Sequence, residues 1–292
     1  MHHKAENELA ARIEELSADA IAKELAAELK RETRNILIDK ILKAYEVETN
    51  DVADYVELFY DCQRLRIQHA NKERTEGVGP LKSWFAFWLR LGESVIASKL
   101  DQWVRSTSSP QEAKWAYSQV GIGSIIAAGL AAHIDPEKAR TPSSIWKFAG
   151  LAPGSDRRVK GQKLPYNSRL KVLCWKLGES FVKVSGKEGA TYGHWYADFK
   201  AQEIKRNEQG FYKEAAVKEL ANKKFRDDTA TLKRLKGGML SDAHLHARAK
   251  RRAVKLFLSH YYVIAREARG LEIRKPYSET VLGHDGIIKP IE

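Results

Sequence analysis

Apolar residues recur at steps of three to five along almost the whole chain, and no series of alternating β-branched runs interrupts them. That period is the repeat of an amphipathic helix and excludes a sheet-based core. The fold class it predicts is all-α, multi-helical, with only the tail from Leu271, carrying Pro276 and Pro290, reading as extended. Leu9, Ile13, Leu16, Ile21, Leu25 and Leu29 mark a first long helix, and a second covers roughly 34–45. Cap residues at Glu48 to Asp51 precede a third, from Val52 to about Lys72. After the break Gly77-Val78-Gly79-Pro80, helices are expected at 81–105, 112–119, 124–133, 143–149, 169–184, 192–206, 212–225 and 242–269. Trp84, Phe85, Phe87, Trp88 and Leu91 crowd one helix and are assigned to the core.

Charge divides the chain. The whole carries a formal net charge of +12, yet residues 1–58 hold 8 Lys+Arg against 14 Asp+Glu, so the excess belongs to the remainder. An acidic arm on a basic body predicts a polyanionic partner for the body. Residues 1–50 read as that arm, suited to homo-oligomerisation although its spacing is no clean heptad. Residues 51–116 read as a helical domain, 117–270 as the DNA-handling domain and 271–292 as the tail. No apolar run reaches the roughly 18 to 20 residues of a membrane span, and the start MHHKAENELA has no apolar signal region. The expected location is the cytoplasm, with no membrane partner. Cys62 and Cys174 lack metal-ligand or disulfide-framework spacing and read as buried thiols.

Three segments carry candidate chemistry. Val120-Gly121-Ile122-Gly123-Ser124 lies between two helices, the arrangement of a helix-hairpin-helix. Gly121 and Gly123 permit a tight turn, and the N–H groups opening the helix at Ser124 would face a phosphate with the positive end of its dipole. Asp156 to Lys171 then contains Arg157, Arg158, Lys160, Lys163, Arg169 and Lys171 against one acid, with Asn167 and Ser168 capping the next helix. If this block neutralises about five phosphates, log K falls against log salt with a slope near −4 to −5. The third segment is a stripe of Arg248, Arg251, Arg252 and Lys255 at three- and four-residue steps, able to line the same groove. Gln63, Arg64, Arg66 and Asn71 are lesser polar candidates. His244, His246 and His260 lie close in sequence without a third ligand in an obvious pattern, so no metal site is assigned.

The stretch SQVGIGSIIAAGLAAHID followed by SSIWKFAGLAP, within residues 117–152, resembles the C-terminal transposase domain of the insertion-sequence one-ten family, the Piv/MooV-type DEDD recombinases. YDCQRLRIQHANK, KGQKLPYNSRLKVLCWKLGESFVKVSG, YGHWYADFKAQE and AHLHARAKRRAVKLFLSHYY are similar to a phage- and mobile-element-borne branch, extending the resemblance over roughly 54–284. It implies a helix-hairpin-helix domain that handles double-stranded DNA and, in full transposases, a structured guide RNA. Those proteins also carry an RNase H-like domain with four magnesium-binding acids, whose strands residues 1–116 do not supply. The family's nucleophilic serine follows the GLAP segment, where this chain places Arg157, with Ser155 two positions earlier.

The leading expectation is therefore a transposase-like DNA-binding protein without strand cleavage and without a cofactor. A recombinase using Ser155 or Ser168 as nucleophile, with Mg2+ and carboxylates from a partner chain, is the second reading. The third is an RNA-binding or structural nucleoprotein component in which Trp84, Trp88 and Tyr166 stack on unpaired bases.

Overall fold

The computed structural model describes residues 51–76, 80–153 and 160–274, together with helical Glu32, Ile36 and Lys40. The described residues form ten α-helices and no strand. In chain order these are α1 Val52–Glu76, α2 Pro80–Arg105, α3 Gln111–Ser118, α4 Ser124–His133 and α5 Pro142–Phe148. They continue with α6 Ser168–Lys183, α7 Thr191–Glu208, α8 Lys213–Asn222, α9 Ala230–Lys236 and α10 Asp242–Glu267. The expected helices after residue 51 are all present, and residues 271–274 are non-helical. The first helix, most of the second and the tail beyond 274 lie outside the described residues. One helix was not anticipated: α9 is a single seven-residue segment, ATLKRLK, whose start is fixed by the Thr229 side chain accepting from the Leu232 N–H. Its two large apolar residues, Leu232 and Leu235, are too few to establish a period.

The chain divides into two compact units. One takes in 1–48 and 57–99, the other 49–56 and 100–292. In the first, α1 meets α2 through Cys62 beside Gly92, His69 edge-on to Phe85 at 4.7 Å, and Arg66 ion-paired with Glu93. Trp84 and Trp88 do not join that seam. They are 57% and 45% exposed and touch each other edge-to-face at 6.0 Å, which corrects their assignment to the core. The physical reason is angular: aromatics at 84, 85, 87 and 88 are spread around the helix and cannot all face one neighbour. Cys62 is only half-buried, whereas Cys174 is buried and its thiol is pushed up to about 12 by desolvation, which leaves it inert.

In the second unit α10 is the packing spine, lying against α7, α6, α5 and α3. Its buried side carries Leu245, Ala249, Ala253, Phe257, Leu258, Tyr261 and Tyr262, and the two alanines keep that side thin where it meets its neighbours. Phe257 stacks on Trp115 of α3 at 5.2 Å and meets Tyr192 of α7 edge-on at 5.0 Å, while Tyr192 stacks on Phe181 of α6. Polar ties fix the far end of α10. Arg269 forks onto the buried Glu112 at 2.7 and 2.9 Å, and Arg266 donates to the carbonyls of Pro136 and Ala139. Helix α6 is held on both sides. Gly129 of α4 approaches Leu173 so closely that a Cβ there would lie 2.8 Å from it, and Gly178 leaves similar room for Lys250 of α10.

The aromatic cluster is the centre of this packing. Phe257→Ala should lower the unfolding free energy by about 3–5 kcal/mol, read as a reduced urea midpoint at unchanged slope. A loss below about 1 kcal/mol would show that the cluster collapses into the space and is not the core.

Candidate nucleic-acid interface

The glycine hairpin forms as a turn of residues 119–123 between α3 and α4, which pack on each other. The two glycines have different reasons to be there. Gly121 has a φ of +96°, and a Cβ on it would meet Val184 and Ser180 of α6 at 3.0 to 3.2 Å. Its carbonyl also accepts a hydrogen bond from the Ser180 hydroxyl. Backbone conformation and packing thus both require glycine at 121. Gly123 is exposed, adopts extended backbone at φ −89°, and a Cβ there would meet nothing within 4 Å. The internal packing makes no demand for glycine at 123, and Gly123 gives α4 no side-chain cap. The helix is left with an unshielded N-terminus beside the half-buried Ser124. Leu130 and Ile134 are buried as expected of the second helix, while Ile125 and Ile126 are only half-buried.

A second concavity lies elsewhere. The turn Gly150 to Pro153, the first half of α6 and the polar side of α10 enclose a groove of about 770 Å³. Its cations are Lys171 from the basic block, Arg248, Arg251, Arg252 and Lys255 from the stripe, and Lys250 beside them on α10, against one lining carboxylate, Glu203. Two segments separated by about eighty positions in the sequence are thereby joined on one surface. The loop that carries the remaining block is fastened at its neck. The Asn167 N–H donates to the Phe148 carbonyl at 2.8 Å, and Tyr166 covers Gly150, whose φ is +66°. Lys171 lies over the Tyr166 ring at 4.1 Å. Lys160 and Lys163 are exposed on this loop, while Ser155, Arg157 and Arg158 lie outside the described residues.

The hairpin and the groove occupy opposite sides of α6. Arg169, Leu173, Ser180 and Val184 follow one line along the helix, and Lys171, Trp175 and Gly178 follow another on the far side. Arg169 lies on the same side of α6 as the hairpin but at the other end of the helix, where its charge, after burial, helps hold the imidazole of His133, the last residue of α4, below its usual range. Asn167 is engaged as the cap of α6, its carbonyl oxygen accepting from the Arg169 and Leu170 N–H groups, and Ser168 is exposed at the first helical position. The sequence placed hairpin and block in succession; the fold separates them.

Within the groove the arginines are held rigidly. Glu203, 1% exposed, accepts from Arg248 at 2.7 Å, Arg252 at 3.1 Å and the Tyr212 hydroxyl at 2.6 Å. Arg248 lies over Tyr212 and Arg252 over Phe199, with guanidinium-to-ring distances of 4.5 and 4.1 Å. Burial pushes the Glu203 carboxyl up, but the hydrogen bonds from Tyr212 and Arg248 and the two arginine charges outweigh it and hold the group below its ordinary value. Lys250 pairs with Glu179, and Lys255 lies over Trp146, its ammonium held below the usual lysine range by burial and by Arg251. Nothing in the sequence marks Glu203, because a lone glutamate on an amphipathic helix has no signature; its arginine partners are 45 and 49 positions away.

Other candidates resolve into structural ties. Arg66 is pinned to Glu93, Arg64 pairs with Asp61, and Asn71 accepts from Arg74. His244 meets Glu219, His246 meets Tyr196 and His260 meets Tyr192, so the three histidines point to three separate partners. Among the described residues no group of three or more His, Cys, Asp or Glu side chains could hold a metal ion.

Because the Glu203 carboxyl is held low in the folded state, its contribution is complete above the unfolded carboxylate range and is lost as pH falls through the folded value. Glu203→Gln should cost about 1–3 kcal/mol of stability at pH 7, with the deficit shrinking below about pH 4. An equal deficit at both pH values in urea titrations would show that the charge is not what holds the two arginines.

No family model matches the chain, and neither a curated protein nor a solved structure matches it.

Proposed function

We propose that this chain is a transposase-like DNA-binding protein of a phage or mobile element that grips the phosphate backbone and does not itself cleave strands. The observation that carries the reading is the groove beside α10, which six cations from two distant segments line with Glu203 as the one lining carboxylate; Glu203 pairs with Arg248 and Arg252, and Lys250 pairs with Glu179. Such an excess of positive charge in a concavity focuses field towards a polyanion. Guanidinium groups already aligned by Glu203 lose little freedom on meeting phosphate oxygens, which favours arginine there over mobile lysine.

Contacts of this kind fix position on the backbone and carry no base identity, so weak sequence preference is expected. The exposed Gly123 and the N-terminus of α4 offer a second phosphate contact on the other side of α6. The resemblance of residues 117–152 to the transposase C-terminal domain supports the same assignment, and the exposed Lys160 and Lys163 of the basic block are further cations available to a phosphate backbone.

The test is a salt titration of duplex binding. Wild-type affinity should fall steeply with salt, and the double variant Lys171→Ala/Arg251→Ala should flatten the slope of log K against log salt by about 2 while weakening binding to unrelated sequences alike. Circular dichroism of the variant should match the wild type, since Arg251 is exposed on α10 and Lys171 is only half-buried on α6. An unchanged slope, or salt-independent binding by the wild type, would contradict the reading.

A further inference from the structure

Trp175 is the feature of the groove that backbone binding does not use. It lies on the groove side of α6 and is 59% exposed, while the same helix buries Leu170, Leu173, Cys174, Leu177 and Phe181. The packing of α6 is complete without it. Its indole has the Lys250 ammonium 5.6 Å from the ring centre, and Lys250 is in turn held by Glu179, so the cation beside the ring is fixed in place. Lys171, one helical turn before Trp175, brings a further ammonium to the same side.

We infer that the groove takes an unpaired nucleotide, its base stacked on Trp175 and its flanking phosphates met by Lys171, Lys250 and Arg251. This rests on the DNA-binding reading and narrows it: the protein discriminates DNA with unpaired nucleotides, such as a gap or a single-stranded flank, from intact duplex. Shape and exposed surface distinguish the two kinds of DNA. A duplex hides its base faces in the stack and presents only phosphates and groove edges, so it can lie across the rim but cannot use an indole face. A strand with unstacked bases exposes a π-face at every nucleotide, and an aromatic platform within a cationic groove is the arrangement that binds it without sequence preference.

The experiment is fluorescence anisotropy of the full chain with labelled DNA in three forms: an intact duplex, the same duplex with a short single-stranded gap, and the single strand alone. The gapped and single-stranded forms should bind more tightly than the duplex. Trp175→Ala should weaken both by about 5- to 150-fold, the loss expected for one stacked base, and leave the intact duplex unchanged. Trp175→Phe should restore most of the loss, which a merely disturbed fold would not allow. Equal affinity for all three forms, or an equal loss on all three with Trp175→Ala, overturns the inference; if Lys171→Ala/Arg251→Ala still weakens duplex binding, the backbone reading survives it. If neither variant alters binding of any form, both fail. Tighter binding of a matching RNA strand than of the DNA strand also overturns DNA as the occupant.

Discussion

Everything in the larger unit depends on α10 serving two environments at once. One side of this helix must be dry, because Phe257, Leu258, Tyr261 and Tyr262 complete the packing of α3, α6 and α7. The other side carries a row of cations that would repel one another if left to themselves. Glu203 reconciles the two demands. It delivers one buried negative charge between Arg248 and Arg252, and Tyr212 occupies part of its remaining hydrogen-bonding capacity. An unpaired carboxylate at that depth would be costly, and the two guanidinium groups without it would repel each other. The cationic wall is therefore a product of the core packing and not decoration applied to it.

The same economy explains α6. It is clasped between α4 on one side and α10 on the other, with glycines at 129 and 178 where those neighbours come closest. Residues one or two positions apart on this helix are consequently assigned to different surfaces. Lys171 belongs to the groove and Arg169 to the hairpin side, although both stand in one basic block of the sequence. Two phosphate-compatible features thus face away from each other, and a single short contact patch cannot include both.

This is where sequence reading succeeded and where it stopped. Helix positions from 51 onward were legible because apolar residues keep a helical period along the longer helices, because turn residues such as Pro110, Gly121 and Gly150 bound the short α3 and α5, and because Asn167 caps α6. The stripe on α10 was legible for the same reason, being periodic on a helix of 26 residues. What could not be read were relations between segments. The sequence suggested that block and stripe could share a groove but could not fix which block residues enter it, and it did not separate Arg169 from Lys171. Nor did it identify Glu203, whose importance lies in partners on another helix, or the exposure of Trp84 and Trp88, since aromatic content alone does not give the phase of a helix. The short α9 escaped because its stability comes from a cap and from Leu235 packing with Tyr212, Leu240 and Leu245, not from its own pattern.

On the proposed function, DNA is held in the groove beside α10 and not by the general positive charge of the body. Covalent labelling of lysines read by mass spectrometry, with and without bound DNA, addresses it site by site. Lys171, which lines the groove, should be protected in the complex, while Lys138, exposed on the loop before α5, should label as in the free protein; protection of Lys187 near the hairpin would report the second contact. Uniform protection of exposed lysines, or protection that spares Lys171, would contradict a groove-held DNA.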